Sequence, residues 1–561
     1  MRAALSCCCD WKEITVSYRI EKDSLGEKQV PADAYYGIQT QRAVENYPIS
    51  GLHAHPRLIQ AMGMIKKAAA LANRELGLLD QRRAGAIVEA AEEVMRGALN
   101  DQFVVDVYQA GAGVSFHMNT NEVIANRAIE ILGGSRGDYS VLHPNDHVNF
   151  GQSTNDVFPT AMRLAALLLI EELLPEVERL SRAFARKGQE FDGILKSGRT
   201  HMQDATPIRL GQEFTAYAVA LLRAYEQLRH AQDGLRELGL GGTAVGTGVN
   251  THPRYQPTVV KKLSEVSGQR LEPTKDMRWT MQSNLPMAVV SSALRNYALE
   301  LIRISNDLRL LASGPNTGLG EINLPALQPG SSIMPGKINP VIPELVAMVG
   351  FQAVGNDTAT ALAVQAGQLE LNVMMPAITW NVLHSCEILK NTTRKFTDAC
   401  VEGITANKDR CQRNAEATVA LATALNPYIG YAKAAELAKL AVKTGRTITE
   451  LALEKKLLDA RQLKKILDPR RMTEPAPPIE EARAAHAEKP AAPPAGKKAK
   501  LKAPAKTKRT AKAKTKAKPK TKGKGRAKPK IKPTRARRTK AAATKKSLSK
   551  PKPKRKAKHR R

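Results

Sequence analysis

The stretch Gly330-Ser331-Ser332-Ile333-Met334-Pro335-Gly336-Lys337-Ile338-Asn339 decides how the rest of this sequence is interpreted. Its two glycines and one proline predict a turn-rich loop rather than a helix or a strand. The loop carries two hydroxyls, a lysine and an amide, and these groups can bind one small anion together with backbone N–H groups. Composition alone also fits an ordinary surface loop, so the order of the residues has to separate the two interpretations.

That order resembles the GSSxMPxKxN signature of the aspartase/fumarase superfamily. The resemblance covers roughly residues 19–472 and includes the sequence PADAYYG at Pro31–Gly37. It implies a mainly α fold of three domains, in which long central helices form a bundle and assemble into a homotetramer. It also implies a small dicarboxylate substrate, with no metal and no organic cofactor.

Apolar residues at three- and four-residue spacing predict long helices independently of the resemblance. Broad apolar faces on several long helices favour a helical bundle. Pro175 predicts a kink in the first helix, and Gly350 and Gly355 weaken the fourth. The predicted helices cover residues 156–190, 208–238, 285–312, 341–365 and 376–402.

Composition divides the chain into a nearly neutral part and a basic tail. Residues 489–561 hold 33 Lys and Arg and no Asp or Glu, whereas the rest holds 54 basic and 53 acidic residues. A tail without aromatic side chains cannot stack on bases, so we expect non-specific binding to nucleic acid or another polyanion. The expected divisions are an N-terminal extension (1–18), an N-terminal lyase domain (19–155), a central long-helix domain (156–403), a small C-terminal helical domain (404–472) and a disordered Pro/Ala/Lys-rich tail (473–561).

A lyase of this superfamily removes a weakly acidic proton from a carbon next to a carboxylate, and therefore needs a base, cations and aligned donors. The resemblance makes Ser331 the catalytic base and Ser332 a donor to a substrate carboxylate. Lys337 and Asn339 would hold the carboxylate that becomes dianionic. A serine hydroxyl is a poor base unless its alkoxide is stabilised, which loop N–H groups and Lys337 could provide.

A second motif, Gly198–Pro207, reads GRTHMQDATP and resembles the superfamily's GRTHLQDAxP. The resemblance implies that Thr200 binds a carboxylate and that His201 contacts the substrate. Histidine is the side chain most easily tuned near neutral pH, which suits this role. Glu344 matches the acid that orients this histidine in relatives.

A third motif reads Gln152-Ser153-Thr154-Asn155-Asp156. Short hydroxyls and an amide before a helix can cap the helix or bind an anion, and their spacing leaves both roles open. The resemblance makes Ser153, Thr154 and Asn155 substrate ligands.

Three positions depart from the superfamily pattern. Val114 occupies the position of a threonine that contacts substrate, so a hydroxyl is replaced by a methyl group. A polar partner left unpaired costs about 1–3 kcal/mol, or roughly ten- to a hundredfold in rate if the loss is felt in the transition state. His117 replaces an asparagine, and Asn316 stands where an arginine is usual.

We expect an aspartate ammonia-lyase, because the Gln152–Asp156 motif and stretches such as Ala366–Val373 resemble aspartases. Leu240–Ala244 and Asn250–Pro253 resemble class II fumarases instead, so a hydratase acting on malate is the alternative. A third possibility is a weakly active scaffold of the superfamily that acts mainly through its polyanion-binding tail.

Six cysteines without a CxxC pair, and histidines without zinc-ligand spacing, give no sign of a metal site and favour a reducing, cytoplasmic compartment. No apolar run reaches membrane-spanning length and no secretion-signal pattern is present, so we expect no membrane association.

Overall fold

Five long helices form the centre of the molecule, and the sequence prediction of them is confirmed. The computed structural model describes residues 17–480. The predicted extension, except for its last two residues, and the basic stretch 489–561 lie outside the described residues. The bundle helices, in the structure's own bounds, are α5 (Thr154–Glu190), α6 (Leu210–Ala231), α9 (Leu285–Leu311), α10 (Val341–Gln365) and α11 (Met375–Ala399).

Shorter helices surround this bundle. They are α1 (Ile38–Asn46), α2 (Pro56–Glu75), α3 (Gln81–Met95), α4 (Val114–Ile131), α7 (Tyr255–Ser267), α8 (Met277–Gln282), α12 (Lys408–Ala417), α13 (Asn426–Ile429), α14 (Tyr431–Thr444), α15 (Ile448–Glu454) and α16 (Ala460–Ile466).

Strands occur only as short pairs in the described part of the chain. Antiparallel pairs are β1 (Tyr18–Asp23) with β2 (Gly26–Pro31), β3 (Leu195–Thr200) with β4 (Gln203–Arg209), and β7 (Ile322–Asn323) with β8 (Thr405–Ala406). The pair β5 (Glu237–Leu238) and β6 (Glu272–Pro273) is parallel.

Within the bundle, α5 packs against α6 and α11, while α10 packs against α9 and α11. Helix α5 runs on through Pro159 and Pro175 over 37 residues. Helix α10 continues through Gly350. This glycine lets α10 approach α9 closely, since a Cβ at this position would lie 2.6 Å from the Ile302 side chain. The glycine that weakens the helix in isolation is therefore explained by packing.

The N-terminal part packs beside the bundle and is held together internally by buried polar contacts. Helix α3 packs against both α2 and α4, and α2 packs against α5. The buried Glu122 of α4 accepts backbone N–H bonds from Gly37, Gln39 and Thr40 and so satisfies free donors at the start of α1. Burial raises the pKa of Glu122 to about 7 despite these bonds.

The C-terminal part has its own apolar core, formed by residues between Leu421 and Leu467. The ordered chain continues beyond residue 472: Arg209 donates to the Thr473 hydroxyl and pairs with Glu474, both at 2.7 Å. Composition changes at residue 473, and this change predicts the start of the tail there. These contacts with a residue far away in sequence cannot be recognised from composition. No helix between residues 17 and 480 is long and apolar enough to cross a membrane.

Candidate active site

The third motif forms the start of the longest helix. Ser153 is the N-cap of α5 and its hydroxyl accepts the backbone N–H of Asn155 at 3.2 Å. The Asp156 carboxylate reaches back to the backbone N–H of Ser153 at 2.9 Å, which completes a capping box. The Asn155 amide donates to the Ala244 carbonyl at 2.8 Å. These bonds present two hydroxyls at the positive end of a 37-residue helix, a position that favours an anion.

Asp156 also fixes the loop opposite this helix end. Its buried carboxylate accepts backbone N–H bonds from Gly241 at 2.9 Å and from Thr243 at 3.0 Å. Burial raises the pKa of Asp156 to about 6, so the group is ionised at neutral pH. A cleft of about 560 Å³ lies between the two segments, lined among others by Asn149, Gln152, Ser153, Thr243, Val249 and Asn250.

A buried lysine lies beneath the same segment. The Lys66 ammonium on α2 is 2.7 Å from Nε2 of His117, 3.0 Å from the Asn149 amide oxygen and 2.8 Å from the Gln152 amide oxygen. The other ring nitrogen of His117, Nδ1, is 2.7 Å from the Thr154 hydroxyl. His117 therefore connects a buried cation to one of the predicted substrate ligands.

The second motif forms the β3–β4 hairpin. Thr200 pairs with Gln203, and His201 and Met202 form the two-residue turn between them with φ of 53° and 63°. Left-handed conformations are costly for such residues and persist only where the surroundings impose them. Thr200 and His201 are exposed at the tip of this hairpin.

Ionic contacts at its base hold the hairpin in place. The fully buried Glu321 pairs with Arg199 at 2.9 Å and with Lys196 at 3.3 Å, and it accepts from the Asn414 amide at 2.9 Å. Burial alone would raise the pKa of Glu321, but Arg199 and Lys196 hold it below its ordinary value. The arginine of this motif is thus structural, and the threonine and histidine beside it are free to meet a ligand.

The first motif is a surface loop between β7 and α10. The Gly330 N–H donates to the Lys337 carbonyl at 2.7 Å, and the Asn339 amide donates to the Gly330 carbonyl at 2.7 Å. The Ser331 hydroxyl accepts backbone N–H bonds from Ile333 at 3.2 Å and from Met334 at 2.9 Å. These are the loop donors that a serine base requires.

The three motifs do not meet within one chain. Ser332, Lys337 and Glu344 are exposed. Between residues 17 and 480, no hydrogen bond or ion pair joins the start of α5, the tip of the hairpin and the serine loop. The orientation of His201 by Glu344 stays a prediction, because no such contact exists within this chain.

Comparison with known proteins identifies the family. Residues 26–355 match a family model described as lyase, and residues 421–474 match the fumarase C C-terminus. An aspartate ammonia-lyase from Bacillus sp is 49% identical over 82% of this chain and 98% of its own length. The chain belongs to the aspartase/fumarase superfamily. A class II fumarate hydratase from Halobacterium salinarum is 51% identical over 81% of this chain and 97% of its own length.

The superfamily fold is also present in a solved structure. A fumarate lyase:delta crystallin from Brucella melitensis, crystallised with cobalt, superimposes with a TM-score of 0.79 and 49% identity over 82% of this chain and all of the other. Together with the family model, these relatives identify the chain as a lyase. Because the ammonia-lyase and the hydratase are equally similar in sequence, overall identity does not select the substrate.

Val114, where the superfamily has a threonine, is the first residue of α4. It follows Gly113, whose φ of 90° and close approach to the Phe158 ring exclude any larger residue. The Val114 side chain is 42% exposed, so a hydroxyl at this position would face solvent or a ligand rather than the core.

Lys66 and Glu321 support the site and lie outside the three motifs, whereas Asp156 belongs to the third motif without a predicted role. Lys66 stands in the apolar stretch Ala61–Ala72 of α2, where helical spacing predicts that most positions are buried. A lysine in such a stretch is the sequence feature that could have indicated a buried cation. Glu321 had no such signal, because its partners are distant in sequence.

Proposed function

We propose that this protein is an aspartate ammonia-lyase, a carbon–nitrogen lyase that converts L-aspartate reversibly to fumarate and ammonia. The observation that carries the proposal is the Ser331 hydroxyl with its two backbone N–H donors, Ile333 and Met334. Donors at this oxygen stabilise the alkoxide, and the alkoxide is the form of serine that can remove a proton from carbon.

Removal of that proton places a second negative charge on the neighbouring carboxylate. The ammonium of Lys337 lies in the same loop and would balance this charge. The Asn339 amide uses one of its two hydrogens on the Gly330 carbonyl, which leaves the second for the substrate. Ser332 and Thr200 supply further hydroxyls, and His201, oriented by Glu344, would contact the substrate beside the departing amine.

The second carboxylate of the substrate would bind at the start of α5. Ser153 and Thr154 offer hydroxyls there, and the helix dipole favours the negative charge. The Asn155 amide, already bound to the Ala244 carbonyl, holds the cleft wall and retains a second hydrogen for the ligand.

Assembly of several copies, as a homotetramer, would bring the three motifs together. Helix α10 buries one side in the chain, yet Met348, Phe351 and Leu362 on it are 54%, 62% and 62% exposed. A helix that is apolar on all sides is normally covered on all sides. Covering α10 with neighbouring copies would bury these side chains and place motifs of different chains at one site.

The choice of aspartate over malate rests on Thr154. It stands in a motif of aspartase type, where class II fumarases usually carry serine. The hydratase is the second candidate, favoured by the relative from Halobacterium salinarum at 51% identity.

A forward assay tests the proposal. Purified protein is given L-aspartate or L-malate, and the ultraviolet absorbance of fumarate is followed. Fumarate forms faster from L-aspartate if the proposal is right. Faster release from L-malate selects the hydratase, and release from neither substrate contradicts both.

A further inference from the structure

The amide groups around Lys66 have a defined orientation. The Asn149 side-chain NH2 donates to the Gln152 carbonyl at 3.2 Å, and the Gln152 side-chain NH2 donates to the Val148 carbonyl at 3.0 Å. Both amide oxygens are therefore directed at Lys66, at 3.0 and 2.8 Å. An ammonium has three hydrogens and no acceptor, so two of them are used here.

The third hydrogen of Lys66 determines the tautomer of His117. Nε2 lies 2.7 Å from the ammonium and must accept. The proton of the neutral ring is then on Nδ1, which donates to the Thr154 hydroxyl oxygen at 2.7 Å. Thr154 makes no other side-chain hydrogen bond within residues 17–480, so its own hydroxyl hydrogen is left for a ligand.

Burial acts on the charge of both Lys66 and His117 in this chain of bonds. Burial lowers the pKa of Lys66 well below its ordinary value, and the nearby Asp156 carboxylate opposes that effect. Burial and Lys66 together lower the pKa of His117 well below its usual range and keep the ring neutral. A neutral His117 ring can therefore accept at Nε2 from Lys66 while the lysine is protonated.

We infer that Lys66 and His117 are a positioning pair, which fixes the Thr154 hydroxyl as a hydrogen-bond donor to a substrate carboxylate. This inference rests on the proposed function, because only that function makes Thr154 a ligand of a substrate carboxylate. It adds a role for His117, the residue that replaces an asparagine of relatives, and for Lys66, which is too deep to touch substrate.

Two substitutions of His117 separate positioning from packing. An asparagine side chain places its amide nitrogen near the position of Nδ1 and can still donate to Thr154. A glutamine side chain places its amide near the position of Nε2, so it keeps the contact with Lys66 and loses the one with Thr154. Both remove the ring, so a purely structural role would weaken both variants alike.

The readout is the dissociation constant for succinate, an unreactive dicarboxylate, in the full chain. His117→Gln loses the neutral hydrogen bond that orients the Thr154 hydroxyl, so it should bind succinate roughly two- to tenfold more weakly than His117→Asn. In a Thr154→Val background the difference between the two should vanish. Equal affinities of the two variants, or a difference that persists in Thr154→Val, would overturn the inference.

A second measurement needs no His117 variant. When rising pH deprotonates Lys66, the lysine lone pair accepts from Nε2–H, Nδ1 then accepts from Thr154, and the donor to the ligand is lost. Succinate affinity of the wild-type protein should fall as pH rises through the lowered pKa of Lys66, and Thr154→Val should remove that part of the dependence. Around this cluster the titratable groups within the described chain are His117, Asp156 and, behind Asp156, Tyr255.

Succinate binding also separates this inference from the proposed function. If the wild-type protein binds succinate but releases fumarate from neither aspartate nor malate, the proposed function fails and the comparison of variants still applies. If succinate affinity falls with rising pH in the same way in wild type and Thr154→Val, the positioning pair is contradicted while the proposed function is not.

Discussion

We propose Ser331 as the catalytic base, and two backbone N–H groups of its loop donate to its hydroxyl. Ser331→Ala should lower turnover of L-aspartate by about 10²–10⁴-fold, the range typical of general acid–base catalysis. Succinate should bind with little change, because the loss is felt in the transition state. Ser332→Ala is the matched control in the same loop and should weaken substrate binding instead. Near wild-type turnover of Ser331→Ala would exclude this serine as the base.

A substitution of Val114 provides a second test of a single residue. Val114→Thr restores a hydroxyl at nearly constant volume on an exposed position at the start of α4. If the pocket is otherwise that of an aspartase, turnover of L-aspartate should rise, by up to roughly ten- to a hundredfold. Unchanged or lower turnover would show that the pocket has been rebuilt around valine.

The proposed substrate ligands lie in sequence motifs, whereas buried residues behind them, such as Lys66, do not. Ser331, His201 and Thr154 belong to contiguous motifs, so their order alone selects them. The contacts of Lys66 with His117, Asn149 and Gln152 join segments 51 to 86 positions apart, and only folding brings these together.

Among the helices and strands, the β3–β4 hairpin is anchored mainly by the buried Glu321 carboxylate, which pairs with Arg199 and Lys196, while Glu213 is a second partner of Lys196. Glu321→Gln leaves Lys196 and Arg199 facing a neutral amide, and removing one partner of a buried pair costs about 3–5 kcal/mol of unfolding free energy. Glu402→Gln, which removes the exposed pair with Arg186, is the control and should cost less than about 1 kcal/mol. Urea unfolding at neutral pH measures both.

The pH dependence of this difference follows from the lowered pKa of Glu321. Its contribution is complete above the ordinary value of 4.5 and is lost as pH falls through the lower folded-state value. The gap between wild type and Glu321→Gln should therefore be constant near neutral pH and shrink below about pH 4.5. A small gap at neutral pH would mean that the ion pairs do not anchor the hairpin.

The bounds of the long helices were predictable within a few residues, because apolar spacing directly reflects which face of a helix is buried. The exception is α6, which ends at Ala231 rather than near residue 238. The left-handed turn at His201 and Met202 was not predictable, because histidine adopts positive φ only occasionally and methionine has no such preference. That conformation is imposed by the anchored strands on either side.

At the scale of the whole molecule, the basic segment 489–561 gives a separate prediction. Its 33 positive charges without negative ones should bind duplex DNA regardless of sequence, through counterion release. If about six to ten phosphates are engaged, affinity should fall roughly 10³–10⁵-fold between about 50 and 200 mM salt. A chain ending at Glu480 should lose this binding and keep its lyase activity. Equal DNA binding by the shortened chain, or binding that ignores salt, would contradict the prediction.

Above all, we propose that the assembled protein adds ammonia, rather than water, to fumarate in the reverse reaction. Proton NMR of one sample containing the protein, fumarate and an ammonium salt tests it directly, because aspartate and malate form in competition and give separate signals. Aspartate as the main early product is the predicted result. Malate as the main product would contradict the claim and identify a fumarate hydratase.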